Sequence, residues 1–117
     1  MIDSANAPVI GVDTSLRVQL WNHKTELITG YPASDAVGKN LIETYIHSDH
    51  RESVRSVLLK SLEGEDTPNY EFPLYTADER RLDILLSATA RRDADGRIVG
   101  VVGIGQDITD LKMQQRH

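Results

Sequence analysis

The stretch Ile98–Lys112 reads IVGVVGIGQDITDLK, and the fold turns on how it is taken. It is the most apolar run in the chain, broken by glycines at 100, 103 and 105. It passes abruptly into the polar Gln106-Asp107-Ile108-Thr109 and a helix-prone tail. Branched apolar residues in a short run bounded by turn formers predict a buried strand over 98–108. A strand that hands directly to a departing helix suits a device for transmitting a change out of the domain.

Working back from that strand, Asp95-Gly96 is a tight-turn signal. Before it, residues 82–90 alternate: Leu82, Ile84, Leu86 and Ala88 share one face, and Asp83, Leu85, Ser87 and Thr89 the other. Tyr70, Phe72 and Leu74 alternate in an earlier strand. Its Pro73 has no N–H to give to a ladder, which places that strand at a sheet edge. Short connections make these three strands an antiparallel meander.

The first half of the chain has a different rhythm. Residues 8–13 and 18–21 are two short strand patterns joined by Asp13-Thr14-Ser15-Leu16, a β-hairpin. Asn22 caps a helix closed by Gly30 and Pro32, with Leu27 and Ile28 as its expected buried contacts. Ser34–Gly38 is a very short second turn of helix. The longest helix begins near Asp49 or Ser48, with Glu52 completing a capping box if Asp49 is the cap. Val54, Val57, Leu58 and Leu62 then recur at helical spacing up to Gly64, while Arg51, Arg55, Lys60 and Glu63 lie mostly off that stripe. Two strands, several helices and three strands predict an α+β fold with the helices on one face of an antiparallel sheet.

Composition narrows the function. At 117 residues the chain is one domain, with 39% hydrophobic and 26% charged residues. A net charge of −5 and the absence of any Lys/Arg block argue against nucleic acid and anionic membranes as partners. With no cysteine, disulfides, thiolate metal sites and cysteine photochemistry are excluded. The opening MIDSANAP lacks a signal-peptide pattern and no apolar run approaches a membrane span, so a cytoplasmic domain, cut from a larger protein, is expected. No nucleophile–base constellation is visible, so no enzymatic activity is expected. Asp93-Ala94-Asp95-Gly96 lacks the later carboxylate of a calcium loop. The spaced glycines at 100, 103 and 105 lie within a strand and do not open a helix on a phosphate.

An ordered set of short motifs now carries a resemblance. Trp21-Asn22, Thr29-Gly30-Tyr31, Val37-Gly38-Lys39-Asn40, the run from Ile46 through His47, Ser48, Asp49 and His50 to Arg51, Asp95-Gly96 and Asp107-Ile108-Thr109 occur in one order with compatible spacing. Together they resemble the PAS domain family over nearly the whole chain. The resemblance implies a five-stranded antiparallel sheet of order 2-1-5-4-3 with helices across one face enclosing a cavity. It implies a sensory or dimerisation module, as found before histidine kinases in two-component systems. Residues 1–109 would form the domain and 110–117 the start of a signalling helix.

Within that family the flavin-binding light-sensing (LOV) branch is a poor match. Leu41 stands where the photoactive cysteine would be and Ile42 at the arginine. Leu74 and Asp83 occupy two asparagine positions, and Gly105 that of the flavin-reading glutamine, with Gln106 displaced by one residue. Haem needs an axial ligand, and the candidates His23, His47, His50 and His117 all read as cap, turn or tail residues. His47 and His50 lack a third ligand for a metal. No cofactor and no metal site are therefore expected, although an unknown small ligand remains compatible with the pattern.

Alignment on the LOV branch turns Val99, Val101, Gly103 and Gly105 toward the cavity. It places them beside Asp83, Leu85, Ser87 and Thr89, with Leu74 and Tyr45 as further pocket candidates. The missing side chains at Gly103 and Gly105 either leave room for a small polar ligand or are filled by the long helix, Trp21 or Tyr45. The opposite face would then carry Leu82, Ile84, Leu86, Val102, Ile104 and Ile108. Such an apolar patch calls for cover by a terminal segment or a second copy, so a homodimer using Ile84, Leu86, Val102 and Ile104 is expected. Asp107, Ile108 and Thr109 form the relay to a downstream effector: Thr109 caps the exit helix, Asp110 lies in its first turn and Leu111 starts a seam. Asp107 pairs with a donor elsewhere in the core.

Overall fold

A computed structural model describes residues 7–115. The strands are β1 (Val9–Asp13), β2 (Val18–Trp21), β3 (Thr67–Tyr75), β4 (Arg81–Arg92) and β5 (Ile98–Asp107). The helices are α1 (His23–Thr29), α2 (Ala33–Ala36), α3 (Leu41–Tyr45), α4 (Arg51–Leu62) and α5 (Thr109–Gln115), with a 3₁₀ turn at Ser48–His50 before α4. All five strands form one antiparallel sheet in the order β2-β1-β5-β4-β3. The apolar stretch is thus the central strand, and the proline-bearing β3 is an edge, as the sequence predicts.

Local chemistry sets the helix ends. Asn22 Oδ1 accepts from the Thr25 N–H, and Gly30 closes α1 in the left-handed region at φ 81°. The buried residues of α1 are Thr25 and Thr29, whereas Leu27 is 65% exposed and Ile28 is only partly buried. That corrects the expected contacts: Thr25 Oγ1 donates to the Val9 carbonyl at 3.2 Å, which seats the threonine face against β1. Before α4, neither Ser48 nor Asp49 caps through its side chain. His47 instead caps the 3₁₀ turn, its Nδ1 accepting from the Asp49 N–H at 3.2 Å, and α4 continues from that turn without a side-chain cap of its own. Helix α4 then buries Val54, Leu58 and Ser61, and Gly64 (φ 93°) ends it with its N–H on the Ser61 carbonyl.

The β4–β5 register decides which residues meet. Leu86 pairs with Gly105, Ala88 with Gly103 and Ser87 with Ile104. Directly opposed residues project to the same face, so Ile84, Leu86 and Ala88 share the helix-covered face with Gly103 and Gly105. The expected faces of β4 are therefore reversed. Leu82, Ile84 and Leu86 are core residues, and Asp83, Leu85, Ser87 and Thr89 lie on the outer face with Val102 and Ile104. A pairing one residue out moves every side chain to the other side, and single-strand alternation cannot choose between the two. Val99 also leaves its expected face: the register shifts between Arg91 and Arg92, and Val99, 40% exposed, sits beside Leu20 and Arg91.

Two glycines of β5 are required by close approach. A Cβ at Gly103 would lie 2.9 Å from Leu86 Cδ1, and one at Gly100 only 2.1 Å from the Val12 carbonyl oxygen. A leucine terminus can move and a paired backbone cannot. Gly103→Ala is expected to cost about 1–3 kcal/mol in urea denaturation, and Gly100→Ala clearly more, because β1 must part from β5. Equal costs would contradict this packing.

Candidate functional site

Two places meet the functional expectations: the space between sheet and helices, and the exit at the end of β5. The space is nearly full. A cavity of about 20 Å³ remains, with only apolar residues lining it, among them Val12, Leu41, Val54, Leu58, Leu86 and Gly103. That is room for about one water, and a water needs two to four polar partners, so the cavity is dry. The Leu86 side chain occupies the groove that the glycines leave: Cβ atoms built at Gly103 and Gly105 would meet Leu86 Cδ1 at 2.9 and 3.3 Å. The filling group thus comes from the neighbouring strand, and neither α4, Trp21 nor Tyr45 supplies it.

The pocket candidates separate accordingly. Leu74, Val101 and Gly103 line the cavity and Gly105 shares their face, while Asp83, Leu85 and Ser87 are on the far side of the sheet. Tyr45 is buried, its ring 4.9 Å from those of both Trp21 and Tyr31. Its hydroxyl is buried and finds no hydrogen-bond partner among the described residues. Burial, followed by the nearby charges of Asp35 and Tyr31, raises its pKa above the ordinary tyrosine value. The flavin and haem known in the resembled family do not fit this space. It offers neither volume nor a polar edge for an isoalloxazine, and no histidine lines it. His47 lies outside, its ring 5.4 Å from that of Tyr75. His117 and residues 1–6 fall outside the described residues, as does the end of the expected 110–117 segment.

The exit is a connected hydrogen-bond chain. The Ile108 N–H donates to the Asp83 carbonyl at 2.8 Å, and the Asp83 N–H donates to Thr109 Oγ1 at 2.9 Å. Thr109 Oγ1 in turn donates to Asp107 Oδ1 at 2.5 Å, and the Thr109 N–H donates to the same oxygen at 3.0 Å. The expected roles are exchanged. Asp107 takes the free helix N–H of α5, and Thr109 reaches across to β4, because Thr109 sits beside the Asp83 backbone while the exposed Asp107 faces no core donor. Ile108 is 8% exposed yet lies outside the main core cluster, and Leu111 is 50% exposed. Lys112 Nζ, on α5, is 2.7 Å from Glu71 Oε2 on β3. No local sequence signal joins those two residues.

The outer face of the sheet carries Leu20 and Ile104, 42% and 55% exposed, with Val102 and Leu85 half-buried between β2 and β4. Among the described residues no group of three or more His, Asp or Glu could hold a metal ion, and no helix is long and apolar enough to cross a membrane.

A family model described as PAS fold matches residues 1–108. The chain belongs to the PAS family. A PAS domain of a protein from Colwellia psychrerythraea superposes with a TM-score of 0.77 at 21% identity, covering 89% of this chain and 87% of that one. A Vibrio cholera VqmA–ligand–DNA complex superposes with a TM-score of 0.75 at 20% identity over 89% of this chain and 47% of that one. In sequence, this PAS domain is 34% identical over 117 residues to Phytochrome B1 of Solanum lycopersicum, covering 97% of this chain and 10% of that protein. It spans about a tenth of the length of the curated relatives it matches. It is a PAS sensory domain, homologous to those of phytochromes and other signalling proteins.

Thr109 is the joint between the PAS sheet and α5. Thr109→Val leaves the Asp83 N–H without its acceptor, at an expected cost of about 1–3 kcal/mol. Amide hydrogen exchange of α5 should accelerate while β5 stays protected. Unchanged protection of α5 would show that the helix is held by other contacts.

Proposed function

We propose that this PAS domain is a relay and dimerisation module of a larger cytoplasmic signalling protein, such as a sensor histidine kinase, with no enzymatic activity and no resident haem or flavin. The observation carrying this reading is the exit chain. Asp83, near the start of β4, is bonded through its N–H to Thr109, the first residue of α5, and through its carbonyl to Ile108 just before it. Any shift of β4 along β5 therefore reaches the departing helix directly. The similarity to a tenth of a phytochrome's length supports a module acting within a longer chain.

The input comes through partner contact at the outer sheet face, since the inner cavity is filled by Leu86. This favours a protein-interaction input over a metabolite held between sheet and helices. A second copy covers Leu20, Val102 and Ile104, while Ile84 and Leu86, being core residues, take no part. Burying an exposed isoleucine contributes on the order of 1.5–3 kcal/mol per copy. Ile104→Arg should shift sedimentation from dimer to monomer with the circular dichroism spectrum unchanged. A dimer persisting in that variant, or a Soret or flavin absorption band in the purified protein, would overturn the proposal.

A further inference from the structure

A second concavity lies outside the core, between the end of α3 with its 3₁₀ turn and the tip of the β3–β4 hairpin. It has a volume of about 550 Å³, and Tyr31, Tyr45, His47, Tyr75, Arg51 and Glu79 are among the residues lining it. Its aromatic groups form two pairs: Tyr31 edge-on to Tyr45 at 4.9 Å, and His47 against Tyr75 at 5.4 Å.

Both walls are held rigidly. The Ala77 N–H donates to the Thr29 carbonyl at 2.8 Å, tying the hairpin tip to α1, and Trp21 Nε1 donates to the Tyr31 carbonyl at 2.9 Å. Arg51 Nε and Nη2 donate to the carbonyls of Ile46 and Glu43, which turns part of its guanidinium fork back into the protein. Glu79 sits at φ 64°, a left-handed conformation that glycine or asparagine adopts at lower cost. Its exposed carboxylate thus stands at the mouth of the cleft. Asp49 lies 3.6 Å from His47 and adds a carboxylate next to that aromatic wall, while Arg51 lines the same cleft.

Aromatic rings beside a carboxylate such as Glu79 attract organic cations, whose diffuse charge is drawn to the ring quadrupoles. We propose that this cleft binds a small ammonium compound, seated between the Tyr31–Tyr45 and His47–Tyr75 pairs with Glu79 as its counter-charge. The site is separate from the filled core cavity and does not depend on the relay reading.

The test is a backbone-amide NMR titration of the 117-residue chain with choline and with its neutral isostere, in which a tert-butyl group replaces the trimethylammonium. Choline should produce saturable shifts confined to residues 44–51 and 75–79, and the isostere should not. Glu79→Gln and Tyr75→Leu should each weaken binding about fivefold or more. If Tyr75→Leu disturbs folding, the exposed Glu79→Gln decides alone. No saturable shift, equal binding of the isostere, shifts elsewhere, or preferential binding of benzoate at Arg51 would each overturn the proposal.

Discussion

The pairing of Leu86 with Gly105 is the constraint on which the rest of the structure depends. Leucine on β4 needs space, and the missing side chains at Gly103 and Gly105 on β5 provide it. The interlock selects one register for the two longest strands. It brings Ile84 and Ala88 inward with Leu86, turns Ser87 and Ile104 outward, and fills the space between sheet and helices. Glycines that weaken a central strand are offset here by close packing on a neighbour.

The same register positions the exit. With Leu86 opposite Gly105, Ile84 falls opposite Asp107, and the next residue back, Asp83, lies beside the start of α5. Its backbone N–H and carbonyl then meet Thr109 and Ile108, so core packing and helix direction are one geometric decision. The Lys112–Glu71 pair adds little by itself, because both side chains reach solvent, which screens the pair. The hydrogen bond from the Asp83 N–H to Thr109 Oγ1 is partly buried and ties the start of α5 to β4.

The molecule thus has a closed inner core and two surfaces with distinct chemistry. The outer sheet face is apolar at Leu20, Val102 and Ile104, which suits protein contact. The helix-side cleft is aromatic with the Glu79 carboxylate at its edge, which suits a small cation. Membership of the PAS family fixes the scaffold.

The order of elements, the central place of Ile98–Asp107, the edge position of the strand containing Pro73 and the caps at Asn22 and Gly30 were all legible in the sequence. Each rests on chemistry local to a few residues: alternation, a missing N–H, a side-chain acceptor, a left-handed glycine. The inward turn of Leu86, the outward turn of Asp83 and Ser87, the exchange of roles between Asp107 and Thr109 and the capping by His47 were decided only in three dimensions. Alternation tells which residues share a face of one strand. Which face meets the helices depends on the register against another strand, and that is set by how side chains distant in sequence interlock.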